Sequence, residues 1–310
     1  MEKNTSNNME KERMKGMETN ETNVPEQHSS SRRNAILFGG AALAGALLAG
    51  KASAQSTVTD ADILNFALNL EYLEAQFYTY ATTGAGLPST STTSGSGTAG
   101  GTVTIKSNAM VPFSTPFLQQ FAMEVAQDEQ NHVAFLRSAL GSSAVGQPNI
   151  DLQNSFNALA MAAGLGATFD PFASETNFLL GAFIFEDVGV TAYQGAAPLI
   201  SSKTYLDKAV GIHGVEAYHA ASIRTRIYQA GANAQSISQA IAATRAKLDG
   251  TNNDDIGVGT NNGVATIVDN DANAMTYARS TSQVLSIVYG GGAAGTGGAF
   301  YPNAMNGTIK

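Results

Sequence analysis

Apolar residues recur at helical spacing along six stretches of the chain, and four of those stripes carry an ionisable group where a core should be. In the first, Leu64, Leu68, Glu71, Ala75 and Tyr78 share a face, which predicts a helix capped by Asp60 or Asp62 and running to about Thr82, ahead of Gly84 and Gly86. Glu71 then points inward and Glu74 lies on the flank. A second helix starts from a Ser114 cap with Pro116 in its first turn and continues to Leu140, where Gly141 stops it. Its inner face reads Phe117, Phe121, Val125, Asp128 or Glu129, His132 and Leu136. The third, Ala173 to about Gly195, turns Leu179, Phe183, Glu186, Val190 and Tyr193 inward, and the fourth, Tyr205 to Ala230, turns in Ile212, Glu216, His219, Ile223 and Ile227. A fifth, Ala234 to Leu248, is amphipathic without carboxylates, and a sixth, Ala272 to Tyr289, offers Val284, Leu285 and Ile287 for packing.

Between these helices the pattern fades. Leu87 to Val111 is dominated by Gly, Ser and Thr and reads as a long loop, with a small hairpin around Thr102 to Lys106. Ser142 to Asp170, with a short helix near Asn154 to Ala163, is long enough to run the length of a helical bundle. The Gly-rich tail to Lys310 reads as irregular. The expected fold is therefore all-α: a four-helix bundle over 57–232 with a long crossover, and one or two additional C-terminal helices and a tail over 233–310 packed on it.

The first 54 residues stand outside that pattern. Residues 1–30 are polar and almost without large aliphatic side chains, too poor in apolar surface to order. Residues 31–54 begin Ser31-Arg32-Arg33, pass through a Gly/Ala/Leu run and end in Ala52-Ser53-Ala54, the layout of a signal peptide. The paired arginines resemble a twin-arginine export signal, which carries proteins already folded and so able to take up metal in the cytoplasm. An uncleaved anchor is the alternative, against which the run is short and sparse in large residues. The expected destination is the periplasm, the cell envelope or the exterior, with no stable membrane span after cleavage.

From Gln55 onward 10 Lys+Arg stand against 19 Asp+Glu, a net charge of −9, which argues against nucleic acid as a partner. Cysteine is absent, so disulfides and thiolate metal sites are excluded and any metal must be held by oxygen and imidazole.

The inward ionisable groups follow an order: Glu71; Glu129-Gln-Asn-His132; Glu186; Glu216-Ala-Tyr-His219. Each ExxH puts carboxylate and imidazole one turn apart on one helix side, within reach of one ion. A lone ExxH or a lone inward Glu would mean little. Here six positions use four of the seven Glu and two of the three His that follow Ser56. Four carboxylates and two imidazoles suit two divalent ions, whose charge balances the ligands and removes the penalty of burying them. The spacing of Glu71 to Tyr78 returns in Glu186 to Tyr193.

These features resemble the ferritin-like superfamily. Asn69-Leu-Glu-Tyr-Leu-Glu-Ala-Gln-Phe-Tyr-Thr-Tyr80, the paired-arginine leader and Ser282-Gln-Val-Leu-Ser-Ile-Val-Tyr-Gly-Gly-Gly292 are similar to the desiccation-related ferritin-like domain family, over roughly Thr57 to Asn306. The resemblance implies Glu71, Glu129, His132, Glu186, Glu216 and His219 as ligands of two Fe or Mn ions. It implies Asp128 as the residue holding the imidazole of His219, although a solvated Asp128 fits the sequence equally well. Tyr78 and Tyr193 would hydrogen-bond ligand carboxylates or act as redox neighbours, or simply pack the core. It further implies O2 or peroxide as the small-molecule substrate, in oxidative or desiccation stress, by peroxide or O2 reduction or metal oxidation. Without cysteine there is no rubredoxin-type module, so a catalase-like reaction, which needs no electron donor, is one expectation. A protective structural protein with a structural or vestigial metal site is the other. Assembly into a homo-oligomer stays open.

Overall fold

A computed structural model describes residues 58–251 and 254–310. The disordered extension and export signal expected over 1–54 lie outside the described residues. The fold is all-α, with eight helices among the described residues: α1 (Asp60–Thr83), α2 (Ser89–Thr92), α3 (Pro116–Leu140), α4 (Asn154–Ala162), α5 (Glu175–Ala196), α6 (Lys203–Gln229), α7 (Ala232–Asp249) and α8 (Thr281–Val288). Among these residues no helix is long and apolar enough to cross a membrane.

Helices α1, α3, α5 and α6 form the bundle, paired α1 with α3 and α5 with α6. Thr79 meets Gln130 and Tyr72 meets Arg137, so α1 and α3 run antiparallel. Tyr78 meets Glu186 and Tyr193 meets Glu71, so α1 and α5 are antiparallel as well. Helices α3 and α5 must then point the same way, and the chain between them has to travel back along the bundle. The 141–174 connection does this, with α4 inside it.

Local chemistry sets several boundaries away from those expected. Thr59, rather than Asp60 or Asp62, caps α1; its hydroxyl accepts from the Asp62 N–H while the Asp62 carboxylate accepts from the Thr59 N–H, a closed capping box. Asp60 instead accepts from the Ser201 and Ser202 N–H groups, tying the α1 start to the α5–α6 turn. Gly84 ends α1 in the left-handed region at φ 75°. The N-cap of α3 is Thr115, not Ser114, and Glu175 at the start of α5 accepts from both residues' N–H groups at 2.6 Å. Phe117 is exposed rather than inward; it stacks on Phe121 under the Arg226 guanidinium, which lies 4.1 Å above its ring.

Three further expectations change. Residues 102–106 form no hairpin: β1 (Val103–Thr104) pairs in parallel with β2 (Ile150–Asp151), tying the long loop to the crossover. The last helix is α8 alone, because Asp271 folds 271–275 into a side-chain-capped turn, Ala274 sits at φ 59°, and Ser280 with Gln283 opens a new capping box. The tail is irregular but integral to the core. Phe300 and Tyr301 are fully buried, the Tyr301 hydroxyl donates to the Asn69 carbonyl, and the Asn69 side chain clasps the Asn306 backbone at both its N–H and its carbonyl. Phe300 closes an aromatic cluster with Phe185, Phe156 and Phe77 from α5, α4 and α1.

With the tail, α7 and α8 stacked on the bundle, α1 and α5 are buried almost all round, every residue from Phe178 to Tyr193 included. A buried network of charges anchors this layer to α5. Asp187 accepts from Arg224 and Arg245, while Asp255 receives both Arg245 and Arg279.

Candidate metal centre

The bundle brings all six expected side chains to one place. Glu71 comes from α1, Glu129 and His132 from α3, Glu186 from α5, Glu216 and His219 from α6. The four carboxylates have no exposed surface, and the imidazoles are buried as well. Two groups result, each with ligand atoms that all lie within 4.8 Å of one another: Glu71, Glu129, Glu216 and His132, and Glu129, Glu186, Glu216 and His219. Glu129 and Glu216 belong to both. The arrangement therefore offers two positions, each with a carboxylate and an imidazole of its own, that have Glu129 and Glu216 in common.

Distances make the same point. His132 Nδ1 lies 3.2 Å from Glu71 Oε2, 3.2 Å from Glu129 Oε2 and 3.6 Å from Glu216 Oε1. His219 Nδ1 lies 3.1 Å from Glu129 Oε1 and 3.4 Å from Glu186 Oε2. One oxygen of Glu129 thus faces each imidazole. Many of these atoms lack what buried polar atoms need: Glu129 Oε1, Glu186 Oε2, both Glu216 oxygens and His219 Nδ1 have no aligned hydrogen bond among the described residues. None of the four carboxylates pairs with Lys or Arg among those residues; their cationic neighbours are the two histidines. A carboxylate-rich oxygen and imidazole set with unpartnered buried donor atoms fits a pair of hard, divalent first-row ions.

Around this core the tyrosines cross. Tyr78, seven residues after Glu71 on α1, donates to Glu186 on α5, and Tyr193, seven after Glu186, donates to Glu71. Burial and the neighbouring carboxylates push both phenols well above their ordinary range, so both remain protonated donors. Asp128 Oδ2 accepts from His219 Nε2 at 3.2 Å, the contact that the resemblance implied.

Electrostatics describe the same site filled by protons. Burial would lower both imidazoles, but Glu71 and Glu129 beside His132, and Glu186 and Glu129 beside His219, outweigh it and push each up to about 12. Burial raises Glu129 to about 7 against the pull of hydrogen bonds from the two histidines. Burial also acts to raise Glu71, yet the His132 charge together with hydrogen bonds from His132, Glu129 and Tyr193 outweighs it and holds Glu71 below the ordinary carboxylate value. Burial and then Glu74 push Glu216 well up.

Glu74 is the residue that the stripe reading misplaced. It is buried on α1, and burial together with Glu129, Glu186 and Glu71 drives its carboxyl well above the usual range. It lies above Gly189 beside Glu216: a Cβ on Gly189 would collide with Glu216 Oε2 and come within 3.4 Å of Glu74 Oε1. The expected flank is closed off by the C-terminal layer, since Ile287, Val288 and Phe300 wall the small cavity that Glu74 borders. Glu124 is exposed, and His213 is half-buried one turn before Glu216, its Nε2 without a hydrogen-bond partner among the described residues.

The family model for the ferritin-like domain matches residues 59–229, which span all four bundle helices and the six clustered Glu and His side chains. The chain belongs to the ferritin-like family. Among curated relatives, a desiccation-related protein, PCC13-62, of Craterostigma plantagineum is 31% identical over 175 residues, covering 55% of this chain and 54% of that protein. The ferritin-like catalase Nec2 of Nesocodon mauritianus is 25% identical over 267 residues, 81% of this chain and 84% of that one. No solved structure matches. The match to the relative named as a catalase is thus longer than the ferritin-like domain itself.

Proposed function

We propose that this ferritin-like protein holds a dinuclear Fe or Mn centre on Glu71, Glu129, His132, Glu186, Glu216 and His219 and uses it to remove peroxide. The observation that carries this reading is the pair of four-residue groups sharing Glu129 and Glu216. Two adjacent ions would supply a two-electron couple. The chain's own residues do the rest: Glu129 and Glu216 would be shared between the two ions, Tyr193 and Tyr78 hold Glu71 and Glu186 in place, and the apolar wall excludes bulk water. Disproportionation converts two H2O2 into O2 and two H2O, with one peroxide oxidised and the other reduced, so no outside reductant is required. That suits a chain without cysteine and is the activity in the name of one relative. Peroxide or O2 reduction with an added donor, and metal oxidation, use the same couple. Export through the 31–54 leader would place the activity outside the cytoplasm as a protection against oxidative or drying stress.

Complete burial of the four carboxylates favours a second reading, in which the ions only hold the helices of an envelope or extracellular protective protein together. Metal analysis of the exported protein, followed by oxygen-release and peroxide-consumption assays, separates the readings. About two Fe or Mn per chain with turnover is the expected result. Metal without turnover leaves the structural reading. Less than about one metal per chain, unchanged in Glu71→Ala and Glu186→Ala, sinks both.

A further inference from the structure

The site repeats itself across α1–α3 and α5–α6. Glu71 and Tyr78 correspond to Glu186 and Tyr193, Glu129 and His132 to Glu216 and His219, and the crossed tyrosine bonds show that the correspondence holds in space. Two of the places where the repeat fails bear on the site. Glu74 corresponds to Gly189, whose missing side chain leaves the room that Glu216 and Glu74 occupy. Asp128, which precedes Glu129, corresponds to Val215, which precedes Glu216.

The second failure acts on a ligand. His219 presents Nδ1 to the carboxylates and its other nitrogen to Asp128. His132 presents Nδ1 to the carboxylates in the same way, but the residue matching Asp128 is a valine, which accepts no hydrogen bond, and Nε2 of His132 has no hydrogen bond among the described residues. A carboxylate on the far nitrogen of a ligand imidazole fixes its tautomer, orients the ring and raises its basicity, and its loss commonly costs about 10- to 100-fold in metal affinity.

On the two-ion reading above, we propose that the two metal positions are unequal: the position bounded by His219 binds its ion first and tightly, and the one bounded by His132 is the exchangeable position. Asp128 is the positioning residue that sets the order. Glu129 and Glu216 are common to both positions, and Glu71 and Glu186 are matched, each held by a tyrosine from the opposite helix.

The test is titration of the metal-free full chain with Mn2+, read by calorimetry as successive affinities. Wild type is expected to take up two ions in two steps separated by about tenfold or more. Asp128→Ala, a change at a partly exposed helix position that favours helix, should weaken the tight step by about 10- to 100-fold and leave the weaker one in place. Asp128→Asn, which keeps an acceptor, should restore part of the loss. Val215→Asp should tighten the weaker step so that the two converge, an effect that general damage to the fold would not produce; Val215→Asn serves if the aspartate variant does not fold. Two equal affinities in wild type, or equal losses at both steps in Asp128→Ala, would overturn the inequality. Uptake of fewer than two ions by wild type would instead sink the two-ion reading on which it rests.

Discussion

Tyr78 and Tyr193 each donate a hydrogen bond to a buried carboxylate, so their hydroxyls fix Glu186 and Glu71 more than they fill space. Phenylalanine at either position keeps the ring and leaves a buried carboxylate oxygen without its donor. Each substitution should destabilise the metal-free chain by about 1–3 kcal/mol, measured by urea unfolding. The imidazoles make a second prediction. With folded values near 12 against 6.5, His132 and His219 contribute stability that is complete below about 6.5 and is lost as pH rises toward 12. Glu129, raised from 4.5 to about 7, adds a loss over its own window, because an acid held protonated by the fold destabilises the fold as the solvent strips the proton. Both trends have the same sign. Ions displace those protons, so the gap in melting temperature between Mn-loaded and metal-free protein should widen from about pH 6 to about pH 8.5. A gap constant across that range would show that protons and metal do not compete for these atoms.

Among the helices, α3 and α5 are linked at their N-termini by Glu175, whose carboxylate takes the Ser114 and Thr115 N–H groups together with the Thr115 hydroxyl. Slight burial acts to raise Glu175, but these hydrogen bonds outweigh it and lower its value. Its contribution is therefore present above the usual carboxylate range and lost as pH falls through the folded value. Glu175→Gln should cost about 1 kcal/mol near neutrality and progressively less in acid, readable as melting temperature against pH. The bundle helices were legible because each keeps a helical period and a start or stop signal, and their ionisable residues broke that period at matching places. What lay beyond reach depended on segments remote in sequence. Glu74 could not be placed inside without knowing that Phe300 and α8 cover the α1 flank. The inward reading of Phe117 followed the period correctly and failed because Arg226 covers that ring at the surface. Residues 272–280 have helix-compatible composition, yet the Asp271 turn and the Ser280 cap give their backbone better local partners.

For the molecule as a whole, the family model ends at Gln229, but the core around the six clustered Glu and His side chains does not end there. Asp187, next to Glu186 on α5, is buried between Arg224 of α6 and Arg245 of α7. Arg245 also bonds the Phe183 carbonyl of α5 and shares Asp255 with Arg279, itself fully buried and bonded to Thr191 of α5. The layer after α6 therefore supplies compensating charge to the helix that positions Glu186, as well as the apolar cover over Glu74. A chain ending at Gln229 would leave Asp187 with one of its two arginine partners and expose the face of α5 that α7 and α8 bury. Breaking one partner of a buried ion pair costs about 3–5 kcal/mol, a large part of the total stability of a domain, before the lost apolar contact is added. The truncated chain should consequently fail to form a cooperative fold and should bind no Mn2+ pair. Arg279→Ala in the full chain isolates the electrostatic part: it should lower stability by about 3–5 kcal/mol in denaturant unfolding while the aromatic cover stays in place. A truncated chain that melted cooperatively and took up two Mn2+ would mean that the four helices position the site unaided.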